Sequence, residues 1–201
     1  MHTEQLSLYQ HTDDRDDDVL ARLARSDSQV FTDLYSRYLD RVYGFILIRT
    51  GDVEDAQDLT SQTFLAALES INRYDGRGSF GGWLFGIARH KIADHYRRRR
   101  NQTDGLYPLS LDDADLLHHP DPSPEDVAHT HLQLDRVAQA LRGLDAQQAE
   151  AVALRIFGQL DAIEVGEVMG KSQAAAKMLV HRGLHHLQQR LAHNQSLEVS
   201  L

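Results

Sequence analysis

Four consecutive arginines, Arg97 to Arg100, close a stretch that already carries Arg89, His90, Lys91 and His95. On a helix, several of these would share one face at three- and four-residue spacing. Four adjacent guanidiniums repel one another unless an anion lies nearby, so the pattern points to phosphate binding; the plainer alternative is a solvated helix end whose cations offset the dipole. Twelve histidines offer a second chemistry. His181 and His185 have the i, i+4 spacing that can clamp zinc, and His118-His119 and His129-x-His131 add candidates. There is no cysteine, no carboxylate partner at a fixed short spacing and no HExxH pattern, so neither a metal site nor any other cofactor is expected. The chain also lacks a phosphate-binding glycine loop, a nucleophile elbow and a paired-acid constellation, which argues against an enzyme.

A net charge of −9 over 201 residues speaks against a nucleic-acid partner until its distribution is read. Residues 1 to 20 carry six acids and one arginine, and residues 101 to 135 carry eight acids and no Lys or Arg. Those stretches total −13, so the remainder carries +4. Both read as solvated, mobile segments, which could also repel DNA. All four prolines, Pro108, Pro120, Pro122 and Pro124, fall in the second, marking a linker between two folded parts. At 41% hydrophobic residues the parts can hold cores. No window approaches the roughly 18 apolar residues of a membrane span, and the acidic N-terminus is unlike a signal peptide, so no membrane association and a cytoplasmic location are expected.

The elements that must position the basic residues are helical. Phe31, Leu34, Tyr35, Tyr38, Val42, Tyr43 and Ile46 recur at helical spacing, and the run stops before Thr50-Gly51. Asp52 then caps a helix that buries Ala56, Leu59, Thr63, Ala67 and Ile71. After the loop Asn72 to Gly78, Ser79 caps a third helix through Phe80, Trp83, Leu84, Ile87 and Ile92 to the arginines. Trp83 lies on the apolar stripe and reads as core, while Gly81 and Gly82 would permit close approach of a helix or strand backbone. Beyond the linker, Leu132 to Leu141 and Ala146 to Phe157 read as amphipathic helices. Asp161 caps a short helix with Glu164 at the third position, Gly170 ends it, and Ser172 caps a longer one to about Ala192. A short helix, a glycine turn and a longer helix are the signature of a helix-turn-helix.

Two segments resemble a known family. Asp52 to Phe64 (DVEDAQDLTSQTF) with Arg77 to Arg98 (RGSFGGWLFGIARHKIADHYRR) is similar to region 2 of extracytoplasmic-function (ECF) sigma factors, the RNA polymerase subunits that select promoters. Glu150 to Leu187, with Leu154-Arg155-Ile156-Phe157, Glu167 to Ser172 and Lys177 to Leu184, resembles region 4 of the same family. The resemblance implies that Asp55, Asp58, Gln62 and Leu65 dock on the clamp helices of the largest polymerase subunit. It implies that Asn72, Arg73, Tyr74 and Arg77 capture an unpaired minus-10 base, with amide, cationic and aromatic groups suited to that task. Arg89, His90, Lys91, His95, Arg97, Arg98, Arg99 and Arg100 would follow the non-template strand and its phosphates.

In the second domain, Ala176, Val180, Gly183 and Leu187 should turn inward, while Ser172, Gln173, Lys177, Met178, His181 and Arg182 meet the minus-35 element. Ala175, Ala176 and Leu179 depart from the family's usual Thr, Val and Arg, which implies a weaker or more apolar upstream contact. The expectation is an all-α protein: an acidic extension (1–24), region 2 (25–101), an acidic linker (102–131) and region 4 (132–195). Expected partners are core RNA polymerase, through its clamp helices and flap, promoter DNA and an anti-sigma factor. A stand-alone helix-turn-helix regulator would explain region 4 but leave the Asp-rich helix and the loop before Ser79 without a purpose.

Overall fold

The computed structural model describes residues 17–102, 141 and 143–198, and among these every regular element is helical. The expected helix Leu132 to Leu141, apart from Leu141, lies outside the described residues, as do His118, His119, His129, His131, the linker prolines and the first sixteen residues.

The first unit holds residues 17–23 (α1), Ser28–Thr50 (α2), Val53–Ser70 (α3), a 3-10 turn Ile71–Arg73, and Phe80–Gln102 (α4). Capping side chains set its boundaries. Asp27 accepts from the Gln29 amide, Asp52 from that of Asp55, and Ser79 Oγ from that of Gly82. Gly51 ends α2 with φ 69°, a left-handed conformation that glycine adopts without strain. The expected α3 stripe, Ala56, Leu59, Thr63, Ala67 and Ile71, is buried throughout. It meets Leu34, Tyr38, Val42, Phe45 and Ile46 of α2 and Phe80, Leu84, Phe85 and Ile92 of α4. Phe45–Phe85 and Tyr38–Phe80 cross edge to face, with centroids 5.4 and 5.2 Å apart. Tyr35 departs from its expected inward position: it is 39% exposed and leans edge-on against Phe64.

The acidic N-terminal stretch is not solvated to its end. Asp17 is 3% exposed, accepting from Arg37 Nη1 at 2.7 Å and the Tyr38 hydroxyl at 2.8 Å, and Ala21 and Ala24 join the core. The expected boundary after residue 24 therefore falls inside the first folded unit.

The second unit is Ala146–Ile156 (α5), Ala162–Met169 (α6) and Gln173–Glu198 (α7). Asp161 and Glu164 form the full capping box, Gly170 ends α6 at φ 66°, and Ser172 Oγ accepts from the Ala175 amide. Ala176, Gly183 and Leu187 of α7 are buried and Val180 half-buried, as the spacing predicts. A Cβ on Gly183 would stand 2.5 Å from Val152 Cγ2 and 3.1 Å from the Gln148 carbonyl. Gly183→Ala should consequently destabilise this unit by about 1–3 kcal/mol through overpacking, read as a lower denaturant midpoint with unchanged slope.

Candidate nucleic-acid interface

The basic run lies along α4, but its members do not share one fate. His90, Arg97 and Arg98 are exposed and Lys91 is half-buried; the Arg100 side chain lies outside the described ones. Arg97 is paired with Asp94. Arg99 reaches Asp55 at 3.0 Å. His95 Nε2 stands 3.2 Å from the same carboxylate, near enough for charge pairing yet off the line of a hydrogen bond. Asp55, expected to face the polymerase, is thus engaged from α4. Arg89 is the clearest departure from an outward face. Its guanidinium, 16% exposed, meets Glu150 at 2.8 Å, and Glu150 is 2% exposed. A carboxylate so enclosed must find a cation, and Arg89 supplies it.

The loop between α3 and α4 turns on two glycines with left-handed backbones, Gly76 at φ 73° and Gly78 at φ 81°. Asn72, Arg73 and Arg77 are exposed, and Asp75 holds the turn by accepting from the Arg77 amide at 2.9 Å. Tyr74 behaves otherwise. It is 2% exposed, packed against Phe80 and Trp83, with its hydroxyl 2.7 Å from Asp18 Oδ1. Burial, then the Asp18 carboxylate, push its pKa well above the ordinary phenol value. In this arrangement the ring offers no face to a base. Trp83 is half-buried on the apolar stripe, in keeping with the core reading.

The second unit stands against this loop and α4. Ser79 Oγ is hydrogen-bonded to Glu164 Oε1, while Glu164 Oε2 accepts from the Asp161 amide at 2.6 Å. Glu167 Oε2 lies 3.1 Å from where a Gly78 Cβ would be. Arg41, its guanidinium carbon 4.3 Å from the Tyr38 ring centroid, donates to the carbonyls of Phe157 and Gly158. The Phe157 ring fills the space a side chain on Gly44 would need, at 2.6 Å. Leu160 Cδ2 and the Tyr38 hydroxyl each lie 3.3 Å from where a Gly81 Cβ would stand, so side chains and not the expected helix or strand backbone approach there.

Two further faces are open. On α7, Ser172, Gln173, Lys177, His181 and Arg182 are exposed and Met178 is 50% exposed; Ala175 and Leu179 are half-buried. On α3, Asp58 is exposed and accepts from Gln62 Nε2 at 2.7 Å, and Leu65 is 57% exposed. Leu68 and Tyr35 extend this apolar patch. Neither was singled out as a docking residue, although Leu68 follows Leu65 by three positions, off the buried stripe. Among the described residues no cluster of three His, Asp or Glu is placed to hold a metal, and His181 and His185 point to solvent.

The chain thus presents two helical units, the second a helix-turn-helix. The model for sigma-70 region 2 matches residues 34–102 and that for sigma-70 region 4 matches residues 140–189. ECF sigma factor SigF of Caulobacter vibrioides is 36% identical over 149 residues, covering 73% of this chain and 76% of SigF. SigD of Mycobacterium tuberculosis is 30% identical over 182 residues, covering 87% and 82%. The chain belongs to the ECF sigma factors of the sigma-70 family, a non-catalytic family. ECF sigma factor BldN of Streptomyces coelicolor is 36% identical over 171 residues, 85% of this chain; the chain spans 63% of BldN and 62% of SigE of Mycolicibacterium smegmatis. CnrH, solved in complex with the cytosolic domain of CnrY, superposes with a TM-score of 0.64 at 25% identity, covering 88% of this chain and 97% of CnrH. No helix among the described residues is long and apolar enough to cross a membrane.

Removing one partner of a buried ion pair costs about 3–5 kcal/mol, because the other charge is stranded. Arg89→Met should therefore part the two units and raise the radius of gyration in small-angle scattering. Arg89→Met with Glu150→Leu, which strands no charge, should restore the compact value.

Proposed function

We propose that this chain guides core RNA polymerase to a set of promoters and opens them, acting in the cytoplasm under the control of an anti-sigma factor. The observation that carries the reading is the pairing of regions 2 and 4 in one chain, supported by an α3 face on which Asp58 and Leu65 are exposed and Gln62 half-buried. An exposed acid beside an apolar patch suits a partner surface that is basic at its rim and greasy at its centre. Asp55 would join that face only if Arg99 and His95 release it. The exposed side chains of α7 would read the minus-35 element in the major groove, and Arg97 and Arg98 would hold phosphates near the minus-10 element. Asn72, Arg73 and Arg77 would capture the flipped base.

Region 4 occupies part of this machinery in the arrangement described. Glu164 and Glu167 place carboxylates beside Ser79 and Gly78, where they would repel a phosphate, and Glu150 takes Arg89. Promoter engagement would therefore require the two units to part. The interface suits that: its polar bonds can be exchanged for bonds to water, and a buried ion pair adds little net stability. Once both units are held by the polymerase, linkage makes two modest DNA contacts selective together. CnrH was solved in complex with the cytosolic domain of CnrY, and the RpoE of Bartonella quintana, at 22% identity and alike in fold, with the anti-sigma factor NepR. That supports a similar partner here.

Run-off transcription with core polymerase on genomic fragments tests the reading: discrete transcripts should appear only when the chain is added, and their absence would refute it. Asp58→Lys with Leu65→Asp should abolish co-purification with core polymerase while leaving the helical circular-dichroism signal intact. Replacing Arg97, Arg98 and Arg99 by Ala should weaken promoter binding by the holoenzyme and flatten its salt dependence, each lost phosphate contact lowering the log–log slope by about 0.9.

A further inference from the structure

Asp18 lies sixteen residues upstream of the matched region 2, in a stretch whose acids would ordinarily be read as solvated. Its carboxylate does something specific. A single oxygen, Oδ1, accepts the Tyr74 hydroxyl at 2.7 Å and the backbone amide of Phe80 at 2.7 Å. Tyr74 and Phe80 flank residues 75–79, so one atom fixes both ends of the exposed turn that carries Arg77. The Phe80 amide is one of the donors that the start of α4 cannot satisfy internally, and a negative charge there also suits the helix dipole. Asp18 and Ser79 therefore cap α4 together, from outside and inside the loop.

Asp18 cannot easily swing away. Its neighbour Asp17 is bonded to Arg37 and Tyr38, anchoring α1 to the middle of α2. Tyr74 is enclosed by Phe80 and Trp83, and the Gly78 carbonyl, 3.2 Å from its hydroxyl, is a longer alternative to the carboxylate for its one proton. The two glycines confer freedom on the loop, with Gly76 and Gly78 both in the left-handed region, and the Asp18 clamp removes it. Arg22, also on α1, brings its guanidinium beside Gly76, 3.2 Å from where a Cβ would stand.

We propose that Asp18 is a positioning residue for base capture: by pinning Tyr74 and Phe80 to one carboxylate oxygen, it holds the loop so that Asn72, Arg73 and Arg77 are presented in one geometry. The inference rests on the promoter-opening reading above. Pre-organised groups discriminate better than mobile ones, so losing the clamp should blur base preference before it affects docking.

The test uses full-length chain assembled with core polymerase and a promoter found by run-off transcription, with each of the four bases in turn along the non-template minus-10 strand. Open-complex formation is followed by fluorescence of a base analogue. The wild type should favour one base at one position. Asp18→Ala should reduce that preference by about tenfold, the worth of a charge-assisted hydrogen bond, while affinity for core stays within about twofold. Asp18→Asn, which keeps an acceptor oxygen without the charge, should fall between, and Tyr74→Phe, which removes only the phenol hydroxyl, should reproduce part of the loss. Full base preference in all three variants overturns the proposal. So does a loss of preference matched by an equal loss of core affinity, because that is a general folding role. Wild-type chain that never associates with core polymerase defeats the underlying reading instead, a result visible before any variant is made.

Discussion

The ion pair between Arg89 and Glu150 is the constraint around which the two helical units are arranged. Each group alone is an energetic liability at its position, one side chain being 16% and the other 2% exposed. Neither can be buried without the other, so α5 must bring Glu150 to Arg89 wherever the chain closes, while α6 packs against α4 itself. The remaining contacts fall into register from there. Phe157 finds the gap at Gly44, Leu160 finds Gly81, Arg41 reaches the carbonyls at the end of α5, and Glu164 meets Ser79. Both glycines lie on helices, where they cost stability of about 1 kcal/mol each against alanine, and the close approach explains why small residues stand there.

This closure has a direct electrostatic consequence. The chain is acidic as a whole, at −9, while the side chains proposed to face DNA lie on α4, the loop before it and α7. Carboxylates of the second unit neutralise or flank part of that chemistry: Glu150 at Arg89, Glu164 at Ser79, Glu167 near Gly78. Asp55 and Asp94 temper the arginines at the end of α4. Under the proposed function, this arrangement would make the closed form a poor ligand for bulk DNA and the opened form a better one. The exposed α3 face and the exposed α7 face are not covered by the closure, so under the proposed function docking on polymerase would begin before the units part.

Much of this was legible in the sequence because it is local. Caps at Asp52, Asp161 and Ser172, the glycine stop at Gly170, the α3 stripe and the basic end of α4 all depend on residues within one or two turns. The inward placement of Tyr74 and Arg89 was not legible because their partners are distant: Asp18 lies 56 positions from Tyr74, and Glu150 lies 61 from Arg89. No periodic pattern encodes a pairing of that kind. A sharper reading could have noticed that Glu150 sits alone among Ala149, Ala151, Val152, Ala153 and Leu154, a lone acid on a buried stretch that must seek a cation. Asp17 and Asp18 were hidden by composition, since an acid-rich run ordinarily marks solvated chain, whereas these two accept from Arg37, Tyr38, Tyr74 and the Phe80 amide.

The central claim, that the free chain is closed and opens on the polymerase, is open to direct distance measurement. The chain contains no cysteine, so Arg73→Cys with Lys177→Cys gives two unambiguous spin-label sites, both exposed and one in each unit. Double electron–electron resonance should give a single narrow distance for the free chain, at the separation of the compact arrangement, and a longer one after core polymerase is added. A broad, long distribution in the free chain, or one that polymerase leaves unchanged, would contradict the account.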